Sequence, residues 1–136
     1  MLMDLKDKEQ QRRWKNHNFC QSLRHALTGL KTVWLDERNF RFDTAAMMVA
    51  ILLGVCLKLS LYEWLWICWS IISVLANEIW NTVIENVVDL VTKFHSDPLA
   101  KKAKDMASAA VLLNAIFALL VGVTIFGIKI WQLFIR

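Results

Sequence analysis

The sequence predicts an all-α integral membrane protein, with three transmembrane helices preceded by an amphipathic helix at the membrane surface. Of its 136 residues 57% are apolar, including seven Trp and seven Phe, against one Pro and four Gly. A soluble domain of this length buries only about two thirds of the surface its unfolded chain exposes, so such stretches would be left facing water. The apolar residues also gather into three runs, each about the ~17–25 residues that cross a hydrocarbon core. Lysine and arginine cluster before the first run and between the second and third.

Residues 1–43 are expected to form a basic cytoplasmic segment. Met1 to Lys15 is polar and charged, which fits neither a cleavable signal nor a transit peptide. Phe19, Leu23, Leu27, Leu30 and Trp34 then recur at helical spacing, with Arg24, Thr28 and Lys31 elsewhere, as in a helix lying in the interface. The first span is placed at 44–62, with Asp43 and Thr44 as its start and Lys58 snorkelling to the headgroups. The second is placed at 64–88, a cytoplasmic loop at 89–105, the third span at 106–128 and a short tail at 129–136. Asp97 followed by Pro98 has the form of an N-cap with proline at the first helical position.

The basic residues Lys6, Lys8, Arg12, Arg13, Lys15, Arg24, Lys31, Arg38 and Arg41, with Lys93, Lys101, Lys102 and Lys104, place the amino terminus and the second loop in the cytoplasm. The net charge of +4 is accounted for by anionic headgroups and calls for no nucleic acid. Cys20, Cys56 and Cys68 show no metal-site spacing and are expected to be small buried hydrophobes. Trp34, Trp64, Trp66, Trp80 and Trp131 suit interface anchoring or packing, and Ser70, Ser73 and Ser108 suit close helix contact. Asn77 and Asn114, inside spans, are expected to bond between helices.

Within the second span Glu78, Asn81, Glu85 and Asp89 fall in a sector of roughly 80° at ~100° per residue, a single polar stripe. With Asp89 at the cytoplasmic interface, a rise of ~1.5 Å per residue puts Glu85 about 6 Å and Glu78 about 16 Å further in. An ionised carboxylate at that depth costs on the order of 2.5–3.5 kcal/mol, so Glu78 should face protein, water or a metal. Carboxylates on one face repel unless a cation or proton relieves them, and an all-oxygen donor set favours Mg²⁺. Asp36 and Glu37 offer a second acidic source, and Lys101, Lys102 and Lys104 offer charge for phosphate. Spacing alone leaves open that Glu78 and Glu85 only bond helices together or line a proton path. The glycine-rich phosphate loops of soluble nucleotide enzymes are missing, since Gly122, Gly127 and Lys129 lie in an apolar span at the wrong spacing.

The segment Glu78-Ile-Trp-Asn81-Thr-Val-Ile-Glu85-Asn-Val-Val-Asp89 resembles the signature of the prokaryotic diacylglycerol kinase and undecaprenol kinase family. So does Ala103-Lys104-Asp105-Met106-Ala-Ser108-Ala-Ala, and with Glu37 the resemblance runs from about Phe19 to the end. It implies a homotrimer of three-span subunits with shared active sites in the inner or plasma membrane, moving the γ-phosphate of ATP to a lipid alcohol with Mg²⁺. By position Glu78 matches the family's general base and substrate contact, and Glu37 and Glu85 match its metal-binding acids. Those two acids with Asn81, Asp89, Lys104 and Asp105 match its nucleotide site, His95 matches a nucleotide-side histidine, and Ser108 a substrate-side position. His25 departs from an aromatic nucleotide contact of some relatives. Met1 to Leu5 and the residues around Ser96 to Leu99 look more like the Gram-positive branch, which implies undecaprenol as the acceptor ahead of diacylglycerol. The rival is a non-enzymatic, proton-linked or assembly membrane protein.

Overall fold

The structure, a computed structural model, describes residues 18–135. The basic positions from Lys6 to Lys15 lie outside the described residues, as does the Met1–Leu5 run. Four helices follow one another: α1 (Phe19–Asp36), α2 (Arg38–Cys56), α3 (Leu61–Thr92) and α4 (Pro98–Phe134). The chain divides into two units, one ending at Asp36 and one beginning at Glu37.

In the first unit, the apolar residues Phe19, Leu23, Leu27, Leu30 and Trp34 of α1 are all exposed. Thr28 and Thr32 turn their hydroxyls onto the carbonyls of Arg24 and Thr28, at 2.9 and 3.1 Å, as helical Ser and Thr do when no other acceptor is near.

In the second unit α2, α3 and α4 are each long and apolar enough to cross a bilayer. Their boundaries differ from those expected. The second unit's first helix begins at Arg38, so Asp43 and Thr44 lie inside it, and Glu37 is its N-cap. The charged residues up to Asp43 had suggested a later start, yet charge at the first turns of a helix is tolerated when those turns reach the interface. The helix ends at Cys56, and Lys58, instead of completing the span, adopts a left-handed conformation at φ 51°. There Leu59 N–H donates to Gly54 O at 3.1 Å and Lys58 N–H to Val55 O at 3.2 Å, the paired bonds of a Schellman ending.

The next helix starts at once. Ser60 caps α3 in a capping box: its backbone N–H donates to Glu63 Oε2 at 2.6 Å, and Glu63 N–H donates back to Ser60 Oγ at 3.5 Å. Gly54 permits the tight α2–α3 corner, because a Cβ there would stand 2.7 Å from Trp64 Cη2. At the far end only residues 93–97 are non-helical, so most of the expected 89–105 loop is helix. Asp97 opens α4 with Pro98 behind it, its Oδ1 accepting from Leu99 and Ala100 N–H at 2.8 and 2.9 Å. That helix continues through Phe134, across most of the expected tail.

α3 and α4 pack antiparallel, with Lys104 on Asp89 at one end and Lys129 on Glu63 at the other. Few side chains are buried, and Ser70, Glu78 and Thr82 stand among them, while large apolar residues cover the outside. A surface of this kind is stable in hydrocarbon and not in water. Cys20, Cys56 and Cys68 are exposed free thiols, so the expected burial is corrected. In a lipid solvent an apolar residue gains nothing by turning inward.

Candidate active site

The site is built on the α3 face that carries Glu78, Asn81, Glu85 and Asp89. Glu78 is 2% exposed, the one large side chain that is fully buried among the described residues. It lies some 16 Å along α3 from Asp89 at ~1.5 Å per residue. Asn39 of α2 and the charges of Asp43, Glu37 and Glu85 all act on its carboxylate. Acidic groups from two helices therefore converge on one buried carboxylate.

Each comes there for a local reason. Glu37 occupies the N-cap of α2 without spending its side chain on a capping bond. Asn39 and Asp43 follow, one helical turn apart and on one face. On α3, Asn81 Nδ2 donates to Glu85 Oε1 at 3.0 Å, which fixes the Glu85 carboxylate. Asn81 Oδ1 is buried with no hydrogen-bond partner. A buried acceptor left unsatisfied is costly, so this oxygen suits a cation or a donor brought by a ligand. Together with the carboxylates it makes an all-oxygen set suited to a hard divalent cation. Among the described residues no three His, Cys, Asp or Glu side chains are grouped so as to hold a metal ion, so phosphate oxygens or water would have to supply most of its ligands.

The outer part of the stripe is paired. Lys104 Nζ donates to Asp89 Oδ1 at 2.6 Å, each side chain about one third exposed. Lys101 holds Asp105 at 2.6 Å in the open, one turn apart on α4. Neither lysine is thus an unengaged phosphate contact, although an ammonium bonded once keeps two further donors. Ser108 donates to its own helix at Lys104 O, 3.1 Å away. His95 is exposed beyond the end of α3, its Nδ1 3.1 Å from Thr92 O.

The structure thus sets Glu37 and Glu85 within electrostatic reach of Glu78, ties Asn81 to Glu85, and ties Asp89 to Lys104. Asp105, Ser108 and His95 make only contacts local to their own segments. Asn39 and Asp43 are the members that sequence reasoning missed. Their signal was present as a polar pair four residues apart, hidden because the helix was expected to begin after them. Asn77 also differs from expectation, since it donates to Ser73 O within α3 at 3.1 Å. The Asn114 amide nitrogen is buried with no partner, in place of the expected interhelical bond.

Beside this cluster an apolar groove of about 630 Å³ runs between α2, α3 and α4. Asp43 sits on its wall with Ala46, Ile67, Ser70, Gly122 and Phe126. A carboxylate whose charge acts on Glu78 therefore also borders a space suited to an apolar chain.

The family model described as prokaryotic diacylglycerol kinase matches residues 24–126. The chain belongs to the prokaryotic diacylglycerol kinase family. Among its relatives, the undecaprenol kinase of Bacillus subtilis (strain 168) is 39% identical over 124 residues, 91% of this chain and 97% of that protein. The diacylglycerol kinase of Helicobacter pylori (strain ATCC 700392 / 26695) is 43% identical over 98 residues, covering 71% and 74%. That of Escherichia coli (strain K12) is 34% identical over 107 residues, covering 78% and 83%. As a member of the prokaryotic diacylglycerol kinase family the chain is a lipid kinase, an ATP-dependent phosphotransferase of the membrane. Membership replaces the helix-bonding and proton-path alternatives that spacing had left open.

Proposed function

We propose that this lipid kinase transfers the γ-phosphate of ATP to the hydroxyl of undecaprenol, with Glu78 as general base. The observation that carries the proposal is the burial of Glu78 within reach of carboxylate charge from two helices. A base for a lipid alcohol must stand where that alcohol resides, while ATP stays in water. The stripe from Asp89 inward to Glu78 joins the two depths.

In the transfer Glu78 takes the proton of the lipid hydroxyl as its oxygen forms the new bond to the γ-phosphorus. The bond from that phosphorus to the β–γ bridging oxygen breaks, and ADP leaves. Phosphoryl transfer needs positioning and charge neutralisation more than covalent help from the protein. Glu37 and Glu85, with Asn81 Oδ1 on the same face as Glu85, would hold Mg²⁺, which would supply charge neutralisation to the triphosphate. Lys104, steadied by Asp89, directs its remaining N–H groups to phosphate. Asp105 and His95 complete the nucleotide side, and Ser108 borders the lipid hydroxyl. The groove along Asp43 accommodates the prenyl chain.

The enzyme is proposed to work as a homotrimer in the inner or plasma membrane, with the amino terminus cytoplasmic and neighbouring subunits sharing sites. Undecaprenol is favoured because the similarity to the B. subtilis undecaprenol kinase extends over nearly all of both chains. Diacylglycerol, giving phosphatidic acid, is the second reading, favoured by the higher identity to the H. pylori protein over its shorter match.

The test is a reconstituted assay with γ-labelled ATP in which both lipids compete, with magnesium withheld in one arm. Label is expected mainly in undecaprenyl phosphate and only with magnesium. Preferential label in phosphatidic acid would transfer the assignment to the second reading, and label in neither lipid would end both.

A further inference from the structure

At the end of the second unit away from Asp89, a hollow of about 710 Å³ lies between the α2–α3 corner and the last turns of α4. Lys58, Lys129 and Gln132 give it a polar wall, Leu57 and Leu133 an apolar one, and Cys56 lines it as well. Lys58 is set there by the left-handed turn that ends α2, at φ 51°. Lys129, Gln132 and Leu133 are spaced three and four residues apart, so one face of α4 carries all of them. Lys129 is held by Glu63 at 3.0 Å, while the side chains of Lys58 and Gln132 have no hydrogen-bond or ion-pair partner among the described residues. Two lysines against one glutamate leave the hollow with one positive charge in excess. Lysine is scarce at this end, because the other basic residues of the described chain gather before the first span and between α3 and α4. The two that stand here line the same hollow.

We propose that this hollow binds the headgroup of an anionic phospholipid, with the phosphodiester between Lys58 and Lys129 and the hydroxyls of the head on Gln132. An ammonium bonded once keeps two further donors, so Lys129 can serve a phosphate oxygen without leaving Glu63. At ~1.5 Å per residue, the ion pairs at the two ends of α3 are farther apart than the ~30 Å of a hydrocarbon core, which puts the hollow at headgroup depth. The occupant is a lipid and not free phosphate because Leu57 and Leu133 continue into the exposed apolar surface of α2 and α4, where Val55 and Ile130 face outward. Acyl chains attached to a head in the hollow therefore meet apolar side chains. A zwitterionic head brings an ammonium of its own, which the excess charge repels, so the site selects net negative charge. The bound phosphate joins the α2–α3 corner to α4, at the end of the helices opposite the Asp89–Lys104 pair. The site is separate from the transfer reaction and does not depend on which lipid accepts the phosphate.

The experiment uses the full-length chain carrying Cys20→Ser and Cys68→Ser, so that Cys56, an exposed thiol lining the hollow, is the reporter. It is reconstituted in phosphatidylcholine vesicles with or without phosphatidylglycerol, and alkylation of Cys56 by membrane-permeant N-ethylmaleimide is timed. Phosphatidylglycerol should slow alkylation at least about fivefold, since protection grows as one plus the ratio of lipid to its Kd. Lys58→Asn removes the charge and keeps the left-handed backbone, which asparagine tolerates, and the slowing should shrink to less than about twofold. The paired change Glu63→Gln/Lys129→Gln removes the other cation without leaving its acid unpaired, and should likewise shrink it. Inorganic phosphate added to phosphatidylcholine vesicles should give no protection. Three results would each overturn the proposal. They are slowing below about twofold in the parent chain, slowing that is equal in the parent and both lysine variants, and protection by inorganic phosphate alone. The second would mark a general effect of surface charge on the thiol.

Discussion

Lys104 on α4 and Asp89 on α3 form an ion pair of 2.6 Å at one end of the two longest helices. At the other end Lys129 meets Glu63 at 3.0 Å. The two pairs stand about 39 Å apart along α3 at ~1.5 Å per residue, more than the ~30 Å of a hydrocarbon core. Both therefore reach the headgroup zones, where an ion pair escapes most of the cost of burial. Paired at both ends, α3 and α4 share one register along the length that carries Glu78.

If Lys104 also serves phosphate, Lys104→Met removes that contact and leaves Asp89 unpaired. Hydrogen bonds to charged groups are worth ~1.5–3 kcal/mol, so the KM for ATP should rise on the order of 10- to 100-fold, with lipid KM little changed. Initial rates against ATP at fixed lipid measure this. An unaltered ATP KM would limit Lys104 to tying helices.

Glu78→Gln keeps the size and hydrogen-bonding capacity of the buried side chain and removes its basicity. Transfer should fall by ~10²–10⁴, the usual contribution of a general base. Light scattering of the detergent-solubilised variant should show the wild-type oligomer. Wild-type turnover in this variant would show that the proton leaves by another route.

Chelation of the divalent ion should abolish labelling of lipid, and added magnesium should restore it. Glu85→Gln retains the oxygen that accepts from Asn81 but loses a charge. This variant and Glu37→Gln should each move the half-saturating magnesium concentration upward by about tenfold or more, as expected when a ligand charge is lost. Titration of activity against free magnesium decides it, and an unmoved midpoint in both variants would remove these acids from the metal site.

Gly54→Ala would bring a Cβ within 2.7 Å of Trp64 Cη2 and 3.0 Å of Leu59 Cδ1. Overpacking of this kind costs ~1–3 kcal/mol, so the thermal midpoint should fall. The defect lies at the α2–α3 corner, far from Glu78, and the kcat of intact protein should be preserved. Trp64→Leu in the same chain should recover part of the loss. A midpoint equal to wild type in Gly54→Ala would show that the corner is looser than its packing indicates.

The stripe on α3 was legible because a helix repeats every ~3.6 residues, so Glu78, Asn81, Glu85 and Asp89 declare a common face without knowledge of any neighbour. Asp97 and Pro98 were legible for a similar reason, since an N-cap acts within its own turn. Asn39 and Asp43 were not. Their shared face appears only when α2 is known to begin at Arg38, and the surrounding charges suggested a start after them. The cysteines were misread because lipid and protein interior are equally apolar solvents, and composition does not distinguish which one a side chain faces.

By itself the sequence determined the membrane class, the number of long apolar helices, the acidic face of the second long helix and the family to which these features belong. Run length and helical period are properties of consecutive residues. Only the tertiary structure decided that Glu78 is buried within reach of charge from α2, that Asp43 both acts on Glu78 and borders the groove, and that Lys104 is held by Asp89. Those relationships join different helices, and their distances are set by how the helices pack and by the register their ends impose, which no single segment encodes.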